Sequence, residues 1–211
     1  DEHQQIFDEA PHTASIHIVN NRCAPAPMEP HVCLADYGPS GLTLWASFQA
    51  PHHLRNTISS WFGIAQDQCR VITPDVGGGF GAKVNFTPEL FVAPTLSKLL
   101  GRPIKYTQTR SECMTQMYHG RAQEQDVDIA FDDDGKILGL RVMVYQDQGG
   151  YADPTGMGLP ALTTTMAAGC YLIPNVSVAW KNVVTNTTPV AAYRGAGRPE
   201  ASYLIERAVD Q

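Results

Sequence analysis

The sequence predicts a mixed α+β fold, with sheets and packed helices interleaved along the chain. Three observations predict it. Residues 123–147, "QEQDVDIAFDDDGKILGLRVMVYQD", alternate apolar and polar side chains on both sides of Asp134-Gly135, the signature of an antiparallel hairpin. Residues 87–103, "TPELFVAPTLSKLLGRP", carry helix punctuation: Thr87 as a capping candidate, Pro88 in the first turn, Glu89 at the positive end, and Gly101 and Pro103 as stops. Residues 199–210 place Ala201, Leu204, Ile205, Ala208 and Val209 on one helical face.

The remaining elements follow in chain order. "TASIHIVN" (13–20) is β-branched and alternating, so it reads as a strand. "NNRCAPAPMEP" (20–30) is a proline-rich connector. "HVCLADY" (31–37) and "LTLWASF" (42–48) flank a Gly-Pro-Ser-Gly turn and read as a hairpin. "PHHLRNTISSWFG" (51–63) is a helix that starts on Pro51 and stops at Gly63. "CRVITPD" (69–75) and "PIKYTQT" (103–109) read as strands, "GLPALTTTMAAGCY" (158–171) as a weak helix, and "VSVAWKNVVTN" (176–186) as a strand. Pro94 inside the 87–103 helix predicts a kink.

Composition narrows the function classes. The 211 residues carry a net charge of −6, with Lys and Arg scattered, which disfavours a nucleic-acid or anionic-membrane surface. No apolar run approaches the length of a membrane span. The acidic start "DEHQQIFDEAP" has no apolar core and no initiator Met, so it reads as no signal peptide and suggests an excised piece of a longer chain. Cys23, Cys33, Cys69, Cys113 and Cys170 are widely spaced and never C-x-x-C; they form no zinc or iron–sulfur ligand set and suggest buried thiols in a reduced, cytoplasmic setting. No residue is assigned as a metal ligand.

"PDVGGGFGAKVN" (74–85) poses the main functional question. A phosphate-binding P-loop requires Gly-Lys-Ser/Thr, and here Ala82 precedes Lys83 and Val84 follows it. A dinucleotide fingerprint fits Gly77-x-Gly79-x-x-Ala82 in spacing, but these glycines do not open the next helix. No acid lies between Glu89 and Glu112 to read a ribose, so nicotinamide binding is disfavoured. A tight turn at a strand end remains open, although it leaves Phe80 among the glycines unexplained. Glycines on both sides of a ring suit main-chain N–H groups that read an extended polar cofactor. A second loop, "VAAYRGAGRPEASYLIER" (190–207), sets Gly195 and Gly197 before a helix, with Arg194 and Arg198 available to anionic groups. An ordinary loop before an amphipathic helix, with Arg198 paired to Glu200 or solvated, is the alternative.

Together "DVGGGFGAK" (75–83) and "AYRGAGRPEA" (192–201) resemble the molybdopterin and active-site loops of the molybdenum hydroxylases: the large subunits of xanthine dehydrogenase, aldehyde oxidoreductase and carbon monoxide dehydrogenase-like enzymes. "NNRCAPAPMEPHVCLADY", "LTLWASFQAPHHLR", "LGRPIKYTQTRSE", "HGRAQ" and "GCYLIPN" agree in order and spacing, over nearly all 211 residues. The resemblance implies that residues 1–211 form the first molybdopterin-binding half of a longer large subunit. It implies a molybdenum ion on a molybdopterin, in the cytosine dinucleotide form of bacterial enzymes. It further implies 2Fe-2S clusters and FAD on partner subunits or domains, and the remaining half of the large subunit as a partner. Self-association through the face that this half would cover is a further expectation.

Residue by residue, Gln49 matches the glutamine that donates to an oxygen ligand of the metal. Gly78, Gly79, Phe80 and Gly81 match the cofactor-shaping loop. Arg194 and Gly195 match positions facing the cofactor, and Tyr193 and Ala196 match the substrate pocket. No catalytic base is assigned: the resemblance puts that glutamate in the other half, and Glu200, in a first helical turn, is read as structural. Three departures bear on substrate. The carbon monoxide oxidisers carry a copper-binding cysteine where this chain has Gly195. Purine hydroxylases carry a glutamate at Val84 and an arginine at Leu162. An aldehyde or aromatic N-heterocycle is therefore expected as substrate, with a cofactor-free assembly or interaction fragment, or an aerobic carbon monoxide dehydrogenase-like large subunit, as the competing readings.

Overall fold

The structure is a computed structural model that describes residues 2–211. In chain order the elements are α1 (Glu2–Glu9), β1 (His12–Asn20), β2 (Val32–Gly38), β3 (Gly41–Ala46), α2 (Pro51–Phe62), β4 (Cys69–Ile72), α3 (Glu89–Leu100), β5 (Ile104–Thr107) and α4 (Arg110–Gln116). They continue with β6 (Gln123–Phe131), β7 (Ile137–Gly149), α5 (Pro154–Met157), α6 (Leu159–Thr165), β8 (Asn175–Val184) and α7 (Arg198–Val209). The chain forms two compact units: residues 1–23 with 118–211, and residues 24–117. Each holds a four-stranded mixed sheet, so the α+β class read from the sequence holds.

The unit of residues 24–117 has strand order β4-β3-β2-β5. β2 pairs antiparallel with β3 and β5, and β3 pairs parallel with β4. On β3 the alternation is complete: Leu42, Leu44 and Ala46 are buried, and the residues between them are half-buried. Leu54 and Ile58 of α2 and Leu90 and Ala93 of α3 close the same core. Gly63 and Gly101 end α2 and α3 in the left-handed region, at φ 63° and 60°, where glycine avoids the Cβ clash of other residues. The side chain of Thr87 does not cap α3; Pro88 occupies the cap position and the helix continues through Pro94. The far face of α3 exposes Val92, Leu96, Leu99 and Leu100, beside the exposed Trp61 of α2.

The other unit has strand order β1-β6-β7-β8, antiparallel except for the parallel β7–β8 pair. The hairpin at Asp134-Gly135 is present, with Gly135 at φ 78°. Ile18, Val127, Leu140, Val142 and Val144 meet Leu204, Ile205 and Ala208 of α7. Val209, expected on that face, is the last residue of α7 and is 43% exposed. β8 is an edge strand and is mostly exposed.

Three helices have no counterpart in the sequence analysis: α1, α4 and the four-residue α5, which Asp153 caps through the Thr155 N–H at 2.8 Å. α1 lies where only acidic composition was noted; its Phe7 sits under the Arg141 guanidinium at 4.6 Å. α4 begins at Thr109, whose hydroxyl accepts the Glu112 N–H at 3.2 Å while Glu112 Oε2 accepts the Thr109 N–H at 2.7 Å, a capping box. All five cysteines are free; Cys33, Cys69 and Cys113 are buried, but Cys23 and Cys170 are exposed, against the expectation of buried thiols throughout. Among the described residues no helix is long and apolar enough to cross a membrane.

Truncating Leu44, fully buried at the centre of β3, is expected to cost about 2–5 kcal/mol through lost transfer energy and a residual cavity. Leu99→Ala, at a site 74% exposed, should stay within about 0.5 kcal/mol. Urea denaturation of both variants checks the contrast; equal losses would contradict the burial of β3.

Candidate functional site

The glycine run folds as a series of tight turns. The Ala82 N–H donates to the Gly79 carbonyl at 2.9 Å, and the Gly78 N–H to the Val76 carbonyl at 2.9 Å. Gly78 and Gly81 stand at φ 93° and 99°, and Phe80 between them at φ 53°, a conformation that costs a large L-residue about 1–3 kcal/mol. The ring of Phe80 is 43% exposed and reaches back over Gly78, where a Cβ would lie 3.0 Å from Cε2. Gly79 is needed for close approach: a Cβ there would fall 2.4 Å from Gln49 Oε1.

Gln49 is the pivot of this loop. Its Oε1 accepts the Gly81 N–H at 2.9 Å and the Lys83 N–H at 3.2 Å, and its own N–H donates to the Lys83 carbonyl at 2.8 Å. The carbonyl end of the amide is thus committed to the loop. The end left as a donor is Nε2–H2, the half of an amide that binds an oxygen ligand.

Glu29 and Lys83 anchor the other side. Glu29 Oε2 accepts the Gly77 N–H at 2.9 Å and pairs with Lys83 Nζ, while the Glu29 N–H donates to the Gly77 carbonyl at 3.1 Å. The Lys83 side chain is fully buried and that of Glu29 is 30% exposed. Lys83 thus closes a buried pair with Glu29. Glu29 went unread, although it stands in the quoted "PMEP". His31, two residues on, is buried; its imidazole is held below its ordinary 6.5, first by burial and then by the charge of Lys83.

The second loop is held in the same way within its own unit. Gly195, Ala196 and Gly197 stand at φ 98°, 43° and 84°. Arg121 donates from Nη1 to the Tyr193 carbonyl at 3.0 Å and from Nη2 to the Arg194 carbonyl at 2.8 Å, and its guanidinium lies 4.7 Å from the centre of the Tyr193 ring. Nη1 also meets Glu200 Oε1 at 3.3 Å, and the Glu200 side chain is fully buried. Arg198 turns back onto the Gly195 carbonyl at 3.1 Å, so it does not pair with Glu200. A Cβ at Gly120 would fall 2.2 Å from Tyr193 Cβ, and one at Gly197 2.7 Å from the Leu159 carbonyl oxygen.

Arg121 and Ala122 are themselves left-handed, at φ 66° and 60°. Gln146 Nε2 donates to the carbonyls of Arg121 at 2.9 Å and Ala122 at 3.2 Å, and Gln146 Oε1 accepts from Gln123 Nε2 at 2.8 Å. Gln123, Gln125, Gln146 and Gln148 are all buried on one face of β6 and β7, continuing the apolar face of Val127, Ile129, Leu140, Val142 and Val144. The sequence shows these glutamines at core positions of the alternation, and that was the available signal. Arg121 lies in "HGRAQ", and no sequence signal ties it to the 193–197 loop.

Gln49, Gly78, Gly79, Phe80 and Gly81 are therefore gathered in one unit, and Tyr193, Arg194, Gly195 and Ala196 in the other.

The molybdopterin cofactor-binding domain family matches residues 1–211. The chain is 41% identical to the carbon monoxide dehydrogenase large chain of Hydrogenophaga pseudoflava, covering 97% of this chain and 26% of that one. It is 34% identical to the nicotine 6-hydroxylase large subunit of Paenarthrobacter nicotinovorans, covering 98% and 26%. Among solved structures, quinoline 2-oxidoreductase from Pseudomonas putida 86 superposes with a TM-score of 0.90 at 32% identity, covering 100% of this chain and 28% of that one. Carbon monoxide dehydrogenase from Oligotropha carboxidovorans gives 0.92 at 33%, covering 99% and 27%. The chain thus spans about a quarter of the length of these relatives.

Lys83→Ala would leave the Glu29 carboxylate without its cation. Breaking a buried pair costs about 3–5 kcal/mol, and the partial exposure of Glu29 puts the expected loss toward the lower end. Chemical denaturation measures it; a loss below about 1 kcal/mol would mean that Lys83 contributes no more than a surface pair.

His31 gives the fold a pH dependence of defined sign. Folded His31 binds its proton more weakly than the unfolded chain does, so its contribution is present above about 6.5 and is lost as pH falls through the folded value. Denaturation at about pH 7.5 and about pH 5 should show a smaller stability difference for His31→Gln than for the wild type. An unchanged difference would remove His31 as a source.

Proposed function

Because this chain belongs to the molybdopterin cofactor-binding domain family of molybdenum hydroxylase large subunits, we propose that it forms part of the cofactor site of an enzyme that hydroxylates an aldehyde or an aromatic N-heterocycle, with water as the oxygen source. The reaction consumes a substrate C–H bond and one water, and releases a C–OH product, two protons and two electrons. The observation that carries the reading is the orientation of Gln49: the loop takes its oxygen, so the side chain offers a donor. Such a donor fits a cofactor with oxygen ligands on its metal and does not itself titrate.

The bound molybdenum cofactor supplies the electron sink and the oxygen transfer. The residues of this chain bind and orient. Gly78, Gly79 and Gly81 let the main chain approach closely, and Phe80 walls the site. Arg194 and Gly195 present main chain to the cofactor, and Tyr193 and Ala196 bound the substrate. The general base belongs to the remaining half of the large subunit; Glu200 serves Arg121 instead. The cytosine dinucleotide form of the cofactor, partner 2Fe-2S and FAD subunits or domains, and work in the cytoplasm belong to the same proposal. The five free thiols suit a reducing compartment.

The second reading is carbon monoxide oxidation, favoured by the 41% identity to a carbon monoxide dehydrogenase large chain. Residue 195 weighs against it. A copper(I) site calls for a soft thiolate. Gly195 has no side chain, its φ of 98° suits glycine, and a Cβ there would lie 2.6 Å from Pro199 Cδ and Cγ.

The native complex should therefore contain molybdenum with little copper, and should oxidise aldehydes or N-heterocycles much faster than carbon monoxide. Metal analysis and a substrate panel decide it: stoichiometric copper with fast carbon monoxide oxidation would sink the reading. The 211-residue chain alone should show no single-turnover hydroxylation, because base catalysis alone contributes about 10²–10⁴-fold.

A further inference from the structure

We infer that Arg121 is the positioning residue of the 193–197 loop, and that through this loop it controls how firmly the cofactor is retained. The retention half rests on the functional reading above; the loop-positioning half does not.

A guanidinium is a rigid planar fork, and here its two terminal nitrogens are bound to two successive carbonyls, Tyr193 at 3.0 Å and Arg194 at 2.8 Å. The described chain has no cis peptide bond, and in a trans peptide the C=O and the following N–H point in opposite directions. Drawing the Arg194 carbonyl toward Arg121 therefore turns the Gly195 N–H to the opposite side. The Tyr193 carbonyl also accepts the Ala196 N–H at 2.8 Å, closing the turn that carries Ala196 at φ 43°. One side chain thereby sets two adjacent peptide planes in the stretch that the functional reading assigns to the cofactor.

Arg121 is itself held in place. Gln146 grips its carbonyl at 2.9 Å, the buried Glu200 carboxylate meets its Nη1, and the Tyr193 ring lies against its face. Lysine could keep the charge beside Glu200, but it has no planar fork to bind two carbonyls at once.

The experiment uses the full-length large subunit in its native complex. Arg121→Lys keeps a cation against Glu200, so the unit should still fold. Glu200→Gln removes the charge partner while leaving the fork on both carbonyls. Two quantities are read: molybdenum per large subunit, and amide hydrogen exchange at residues 194–197 compared with the core amides of β6 and β7. In Arg121→Lys, exchange at 194–197 should accelerate about tenfold with β6 and β7 unchanged, and molybdenum content should fall about tenfold. In Glu200→Gln both should change clearly less than in Arg121→Lys, because the fork keeps both carbonyls. Unchanged exchange at 194–197 in Arg121→Lys would overturn the positioning role. Faster exchange with full molybdenum would overturn the retention role. Equal losses in both variants would assign the effect to the Arg121–Glu200 pair and not to the two carbonyl bonds, and would overturn the fork. A wild-type complex without molybdenum would overturn the functional reading and the retention role together, while the exchange comparison would still decide the positioning role.

Discussion

Main chain held at positive φ by residues with side chains is the constraint on which the rest of this structure depends. Five non-glycine residues carry it among those described: Ala26, Phe80, Arg121, Ala122 and Ala196. Each costs about 1–3 kcal/mol, so something outside the segment has to hold it. The holders are identifiable. Gln49 and the Glu29–Lys83 pair fix the turns around Phe80; Arg121 fixes the turn at Ala196; Gln146 fixes Arg121 and Ala122; and the Met117 sulfur accepts the Ala26 N–H. A neutral hydrogen bond contributes about 0.5–1.5 kcal/mol and one to a charged group about 1.5–3, so several together offset strain of this size. Both loops are therefore held by contacts from residues far away in the sequence.

This also explains what was legible in the sequence. The β6–β7 hairpin, the β2–β3 hairpin, α2, α3 and α7 were readable because their signals are local: alternation, a turn dipeptide, a proline near the start and a glycine at the stop. The glycine loops were readable for the same reason. The anchors were not. Glu29 lies 54 residues from Lys83 and Arg121 lies 79 from Glu200, and no periodicity links residues so far apart. α4 was a different kind of miss, because the Thr109–Glu112 capping box was present in the sequence. α1 has weak apolar content and depends on Arg141 and the sheet beneath it, so tertiary contact decides it.

The buried glutamines show how one strand pattern can serve two purposes. The core face of β6 and β7 is apolar over Val127, Ile129, Leu140, Val142 and Val144, then turns polar at Gln123, Gln125, Gln146 and Gln148 without breaking the period of two. Gln123 and Gln146 are direct cross-strand partners and bond each other at 2.8 Å. Uncharged amides suit this place: they satisfy buried carbonyls without the desolvation cost of a charge. The result is a polar end to an apolar core, on the side where Arg121 must be held in a left-handed turn.

The scaffold does not choose the chemistry. Relatives whose names concern nicotine, quinoline and carbon monoxide share 32–41% of its residues, and two of the solved structures superpose at TM-scores of 0.90 and 0.92. On the proposed reading the choice lies in the second loop, and there it is not a matter of one side chain. Gly195 is boxed by Pro199, Gly197 by the Leu159 carbonyl oxygen, and Gly120 by Tyr193. Adding a thiol at residue 195 would push Pro199, which stands in the first turn of α7 beside the buried Glu200 that pairs with Arg121. A change of substrate class that needed a side chain at 195 would therefore require the loop, the start of α7 and the Arg121 anchor to move together. On the proposed reading, overall identity to a carbon monoxide dehydrogenase would for that reason guide activity less than the backbone around Gly195 does.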